Sequence, residues 1–338
     1  AMKKLVYNII ITLFVIKITF LFLIFPTISS EKTYKAKDLS SYLSGVISLN
    51  ENDYERSYKF LKNVNGLEKD HYTFSQIYLY SLINFDKFTD AFRYARKLEQ
   101  NQINNFESDL IVGIYHLKNK KPFLAKKYLL RNYQRKNLDP IQKLLSILIL
   151  QWSNFEDLNF KESIAKLEKI DVRFENIKKI QKSFLNCYFD KSSTSEVFFD
   201  LVNDKSANFN RYNFFLANYL NNNDKIFEYE KVIEAALKKT PRNLLINQLK
   251  LDVERAENLK NKFDCKNNLH VMAELFYLVS NALSSQKFYS VSNFYINLAK
   301  FLNPEFISYN ILFAENHNFI EKNEEAKKIY NKVKNYGD

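Results

Sequence analysis

Apolar residues recur at helical spacing through most of the chain, broken by short polar turns, and the pattern itself repeats. In LNENDYERSYKFLKNV (49–64) and INFDKFTDAFRYARKL (83–98) an apolar end runs into a polar turn, then an aromatic, then small and apolar residues at helical spacing. Tyr54 and Phe88 are equivalent, 34 residues apart (88 − 54), and in LKNKKPFLAKKYLL (117–130) Pro122 falls 34 further on (122 − 88). Gly45 and Gly113 lie two such periods apart (113 − 45 = 68). The register returns late in the chain. Pro304, which ends FYINLAKFLNP (294–304), and Asp338 are again 34 apart (338 − 304), with Ala299 matching Val333, Ile296 matching Tyr330 and Ser292 matching Ala326.

A fixed period of this length is the mark of stacked helical units. The units are expected at about 38–71, 72–105, 106–139, 144–174, a degenerate 175–207 with DKSSTS (190–195) as its turn, 210–243, 273–306 and 307–338. Between the sixth and seventh, residues 242–257 read as one additional helix and NLKNKFDCKNN (258–268) as a linker, the expected hinge or sub-domain boundary.

On these residues the chain resembles the tetratricopeptide repeat (TPR) family, whose unit is two antiparallel helices with small residues at their crossing and a proline after the second. The resemblance implies an all-α fold, a right-handed α-solenoid of about eight TPR-like helical hairpins. In it Gly45 and Gly113 on first helices, and Ser57, Ala91, Ala125, Ser163 and Ala326 on second helices, let helix axes approach. Leu61, Leu129, Leu167, Ile296, Ala299 and Tyr330 would meet the neighbouring hairpin, and Pro241 and Pro304 end their units. The consensus tryptophan is absent, Trp152 lying elsewhere in its unit. The implied organisation is a signal peptide or anchor over 1–30, an N-terminal array over 31–257 of about six units plus the extra helix, the linker 258–268, and two C-terminal units over 269–338. The order of units also looks like that of exported TPR proteins of alphaproteobacteria.

In such a solenoid the first helices line a concave groove, which makes their outward positions the expected partner-binding residues. Carried across in register, these are Tyr42, Gln76, Tyr80, Asn84, Phe214, Asn218, Tyr277, Asn281 and Glu315. Amides that bond a backbone and aromatics that supply area suit an extended peptide or a partner helix. The Lys/Arg/Asn clamp by which some family members hold a terminal carboxylate is missing from the well-formed units.

Composition narrows the reading. Four glycines and five prolines in 338 residues leave little for tight hairpins, which favours helices throughout. The net charge of +12 points toward a polyanion, but the excess lysine is spread along the chain, and short runs such as Lys118-Asn-Lys-Lys121 read as solvated helix ends. Nucleic acid is therefore not the expected partner, and a polyanion-binding helical repeat is kept as the alternative. Lys3 and Lys4, the apolar run from Leu5 to Ile24 interrupted by Lys17, and the small polar cluster Thr27 to Ser30 have the order of a secretory signal. The expectation is export to a periplasm, with cleavage near Ser29 or Ser30. If the segment stays uncleaved it anchors the protein, and membrane contact is through residues 5–25 alone.

Cys187 and Cys265, 78 positions apart (265 − 187), form no CxxC pair and are expected as buried free thiols, an oxidising compartment leaving a disulfide open. His71, His116, His270 and His317 fall in no ligand spacing and read as helix-surface or turn residues. No nucleophile elbow, P-loop or dinucleotide turn is present, so no enzyme activity, cofactor or metal is expected. The one enzymatic alternative is the noncatalytic superhelical arm of a cell-wall lytic enzyme.

Overall fold

The computed structural model describes residues 35–64, 66–69, 71–153 and 159–333. Contacts divide the chain into two units, 1–39 and 40–338. Of the first, only the start of one helix is described. The signal segment expected over 1–30 and the repeat position at Asp338 lie outside the described residues.

The described residues are helical, with one isolated antiparallel bridge between Asn261 and Phe306. Hairpins follow one another as α1 (Ala36–Asn50) and α2 (Tyr54–Leu61), α3 (Tyr72–Asn84) and α4 (Phe88–Gln100), α5 (Phe106–Lys118) and α6 (Pro122–Gln134), α7 (Pro140–Trp152) and α8 (Phe160–Leu167). They continue with α9 (Glu175–Tyr188) and α10 (Thr194–Asn203), then α11 (Tyr212–Asn222) and α12 (Ile226–Lys239). The unpaired α13 (Leu244–Glu254) precedes α14 (Asn268–Ser285) with α15 (Tyr289–Leu302), and α16 (Tyr309–Asn318) with α17 (Asn323–Tyr330). Successive helices pack on one another, which makes this an all-α repeat solenoid.

The period is written into the backbone. Tyr54, Phe88 and Pro122, the residues equated by sequence, are each the first residue of a second helix. Two positions before each sits a left-handed residue: Asn52, Asp86 and Lys120, with φ of 53, 60 and 56°. Asp224, Lys287 and Glu321 occupy the same place in later hairpins, with φ from 57 to 67°, and Asp190, with φ of 54°, ends α9 four positions before α10 begins. In all seven turns the next amide donates to the carbonyl five residues back, as Lys87 N does to Leu82 O at 2.8 Å and Lys121 N to His116 O at 2.9 Å. This is the Schellman ending, which satisfies orphan carbonyls and reverses the chain. Glycine is the usual residue there, so a chain this poor in glycine holds Asp, Asn, Lys and Glu in a conformation that disfavours side chains.

In α1–α2 and in α14–α15 the crossing is made by small residues 12 positions apart. The Ser57 hydroxyl donates to Gly45 O at 2.9 Å, and Ser280 and Ser292 exchange hydroxyl-to-carbonyl bonds of 2.8 Å. A side chain at Gly45 would bring its Cβ 2.5 Å from Leu61 Cδ2, and one at Gly113 would come 2.6 Å from Leu129 Cγ. Leu61 and Leu129, expected to face the neighbouring hairpin, thus lie over the glycines of their own. Close approach is what buries the apolar stripe of each short helix, and that burial, about 25 cal/mol per Å², outweighs the weak intrinsic stability of helices this length.

The last hairpins return to the beginning of the array. α15 packs along α3, and α14 packs against α7. Phe301 stacks on Phe88 with ring centroids 4.4 Å apart, and Asn268 Nδ2 donates to Trp152 O at 3.0 Å. The segment 258–268, expected to be a hinge, is fastened from several sides. Lys262 N donates to Glu305 O at 3.1 Å, Asn303 Nδ2 to Lys262 O at 2.9 Å and Asn218 Nδ2 to Phe263 O at 2.9 Å. Cys265 and Cys187 are joined by a disulfide with Cα atoms 5.9 Å apart, which corrects the expectation of free thiols. Sequence separation carried no sign of this contact. It arises because the extended segment doubles back beside α9 instead of projecting away.

Candidate partner-binding face

Of the nine residues assigned to the concave groove, four are closed off by later parts of the chain itself. Tyr80 lies 4.6 Å from the Phe294 ring, and Asn84 donates from Nδ2 to Ser290 O at 2.9 Å while its Oδ1 accepts from Asn297 Nδ2 at 3.3 Å. Phe214 packs edge-on to Phe306 at 5.4 Å, and Asn218 bonds the 258–268 segment. All four are buried. Register assigns an outward position, but only the tertiary fold decides what covers it, and it covers these four. The occupant here is intramolecular.

The other five differ in exposure. Tyr277 is half-buried beneath the Arg211 guanidinium, which sits 3.6 Å from its ring centroid. Glu315 is half-buried, and burial raises its carboxyl above the ordinary glutamate range. Tyr42 is half-buried against His71 and Phe74, at ring distances of 5.2 and 5.8 Å. Asn281 is exposed, and Gln76 is half-buried with its amide engaged. The structure does not bring these five into one site.

Gln76 leads to a cluster that does converge. Gln76 Nε2 donates to Glu107 Oε1 at 2.8 Å, Gln142 Nε2 reaches the same oxygen at 3.2 Å, and the Tyr80 hydroxyl donates to it at 3.3 Å. The residues come from α3, α5 and α7, the first helices of three successive hairpins. Local sequence sets each one. Gln76 stands one turn before Tyr80 on α3. Glu107 occupies the first turn of α5, where Asn105 caps with Ser108 and the helix dipole favours a negative charge. Gln142 is the third residue of α7, and its carbonyl oxygen closes the capping box with Asp139.

Glu107 is 1% exposed. Burial pushes its carboxyl above the usual value, and the bonds from Gln76, its own backbone, Gln142 and Tyr80 draw it partly back. Its Oε2 has no hydrogen-bond partner among the described residues. Burial, with Glu107 beside it, drives the Tyr80 phenol well upward, so Tyr80 stays a neutral donor. The result is a row of two fixed amides, half-buried Gln76 and Gln142, held on one carboxylate, with Tyr72, 58% exposed, nearby. Such a row can bond a peptide backbone. Sequence reasoning found Gln76 and Tyr80 but passed over Glu107 and Gln142, because a single acid at a helix start reads as a dipole partner. The available signal was spacing, Gln142 lying 35 residues after Glu107 (142 − 107), close to one period.

Other polar groups are structural. Asp109 is buried and bridged by Arg131 and Arg135 from α6 and the following turn. His116 and His317, expected at the surface, are buried, which holds their imidazoles below the ordinary value; His317 Nδ1 lies 2.8 Å from Phe313 O. Among the described residues no group of three His, Cys, Asp or Glu could hold a metal ion. No family model matches the sequence, and none of the curated proteins compared with it matches.

Proposed function

We propose that the protein is a TPR-like scaffold that binds a partner protein, and that the partner's backbone lies along the amide row of α3, α5 and α7. The observation that carries this is the convergence of Gln76, Gln142 and Tyr80 on Glu107 from three successive first helices. A segment crossing several repeats at once is the mode repeat surfaces serve, with amides satisfying its peptide groups. Since the C-terminal hairpins already fill the deeper groove, the partner would occupy its edge.

The Cys187–Cys265 disulfide supports the expectation of export, since such bonds persist in oxidising compartments. Among the described residues no helix is long and apolar enough to cross a membrane. An anchor, if one exists, would be the 5–25 segment outside those residues.

The test is site-specific photocrosslinking in the native cell, with the reactive residue at position 76 or 142 and, as control, at exposed Lys59 on α2. The same protein should be captured from 76 and 142 and not from 59. Gln76→Ala with Gln142→Ala should weaken binding of that protein about tenfold, two lost hydrogen bonds at about 0.7 kcal/mol each. Capture that is equal from all three positions would reject the reading.

A further inference from the structure

A cleft of about 650 Å³ opens where the tips of α3 and α5 meet α15 and α16, well within the size range of small-ligand sites. Its walls include Phe88, Phe301 and Phe313, and it is lined by exposed Lys332 and by two further lysines, Lys118 and Lys300. Lys300 is half-buried, its ammonium 4.4 Å from the Phe313 ring centroid and 3.2 Å from Asn297 Oδ1. Lys118 Nζ donates to Leu302 O at 3.0 Å and so closes the end of α15.

Neither ammonium has a carboxylate within ion-pair distance among the described residues, although lysines elsewhere do, as Lys179 pairs with Asp204 at 2.5 Å and Lys127 with Glu99 at 2.6 Å. The acid beside the cleft, Glu305, is held by Lys262 at 2.8 Å, and Asp86 is exposed at the rim. A half-buried cation held only by a ring face and an amide carries a desolvation cost that an acid group placed against it would offset. We propose that this cleft binds a small organic anion, its acid group between Lys300 and Lys118 and its flat apolar part against Phe301 and Phe313.

Burial also pushes Lys300 down to about 8, with Asp86 opposing and Lys332 adding to the effect. His317 on α16 is the remaining titratable group coupled to it. A bound anion should draw that value back up.

Calorimetric titration of the full chain with phenyl phosphate, benzoate and benzyl alcohol tests the site. At least one of the two acids should bind saturably at one site, with benzyl alcohol at least tenfold weaker, and which acid binds identifies phosphate or carboxylate as the recognised group. Lys300→Met should weaken binding at least tenfold, whereas Lys59→Met should leave it unchanged. Saturation by neither acid, or equal affinity in Lys300→Met, overturns the proposal. If Lys300→Met fails to fold, the Lys300 Cε resonance of the unmodified protein decides: a shift on adding the acid supports the site, and its absence rejects it.

Discussion

Arg211 and Glu274 form a two-point ion pair, Nε to Oε1 at 2.7 Å and Nη2 to Oε2 at 2.9 Å, that ties α11 to α14. Glu274 is fully buried and the Arg211 side chain 16% exposed. Tyr309 donates to Glu274 Oε2 at 3.3 Å, and the Tyr277 ring lies against the guanidinium. The pair therefore fastens the C-terminal hairpins to the earlier array at a second joint besides the α3–α15 contact.

Removing one partner leaves a buried charge alone, which costs about 3–5 kcal/mol. Glu274→Gln and Arg211→Met should each lower the stability measured by urea unfolding by that amount. The double change Arg211→Met with Glu274→Leu should recover much of the loss, because desolvation of the two charges disappears together. Equal losses in single and double variants would show that packing, not charge, holds the joint.

The left-handed turn residues give a prediction of opposite sign. Lys120 has φ of 56°, a conformation that costs a side-chain-bearing residue about 1–2 kcal/mol. Lys120→Gly should stabilise the protein by up to about 1 kcal/mol after the greater entropy of glycine in the unfolded chain is deducted. Gly113→Ala should do the reverse, since its Cβ meets Leu129 and overpacking costs about 1–3 kcal/mol. Thermal midpoints of the two variants, moving apart from wild type, check both.

The disulfide closes a long loop, from α9 to the segment before α14. On the chain-entropy estimate a loop of this size contributes about 4.5 kcal/mol, with observed effects of about 2–5. Cys187→Ser with Cys265→Ser should lower the thermal midpoint and make it indifferent to reductant, whereas wild type should fall toward the variant when reduced. Amide exchange should rise first in 258–268, because the disulfide and the Asn218 bond are two of its fastenings.

The hairpins were legible because each unit asks for size and apolarity at fixed spacing, so Tyr54, Phe88 and Pro122 could be equated by period, and each proves to start a helix. The crossing residues Gly45, Gly113 and Ser57 were legible for the same reason. What could not be read was the return of α14 and α15 onto α7 and α3. Phe294 and Phe301 satisfy the pattern of an ordinary repeat, and nothing in their spacing distinguishes a ring that meets its own hairpin from one that meets residues some 200 positions earlier, as Asn84 and Ser290 do. The same blindness hid the disulfide and the Glu107 cluster, both made by contacts between units.

Glu107 supplies a pH dependence whose sign follows from its burial. Its folded-state carboxyl lies above the ordinary value of 4.5, so the folded chain holds a proton that the unfolded chain has released. The contribution of this group is fully present below about 4.5 and is lost as pH rises through the folded value. Glu107→Gln keeps an amide able to bond the row and carries no charge at any pH. Relative to wild type its stability should improve as pH rises from about 4.5 toward neutrality, with the difference between the two proteins flat once the folded carboxyl has ionised. Urea midpoints of both proteins at intervals from pH 4 to 8 measure the difference. A difference that does not change across that range would mean that the carboxyl ionises in the amide row as freely as it does in water, and that its bonds from Gln76, Gln142 and Tyr80 fully repay its burial.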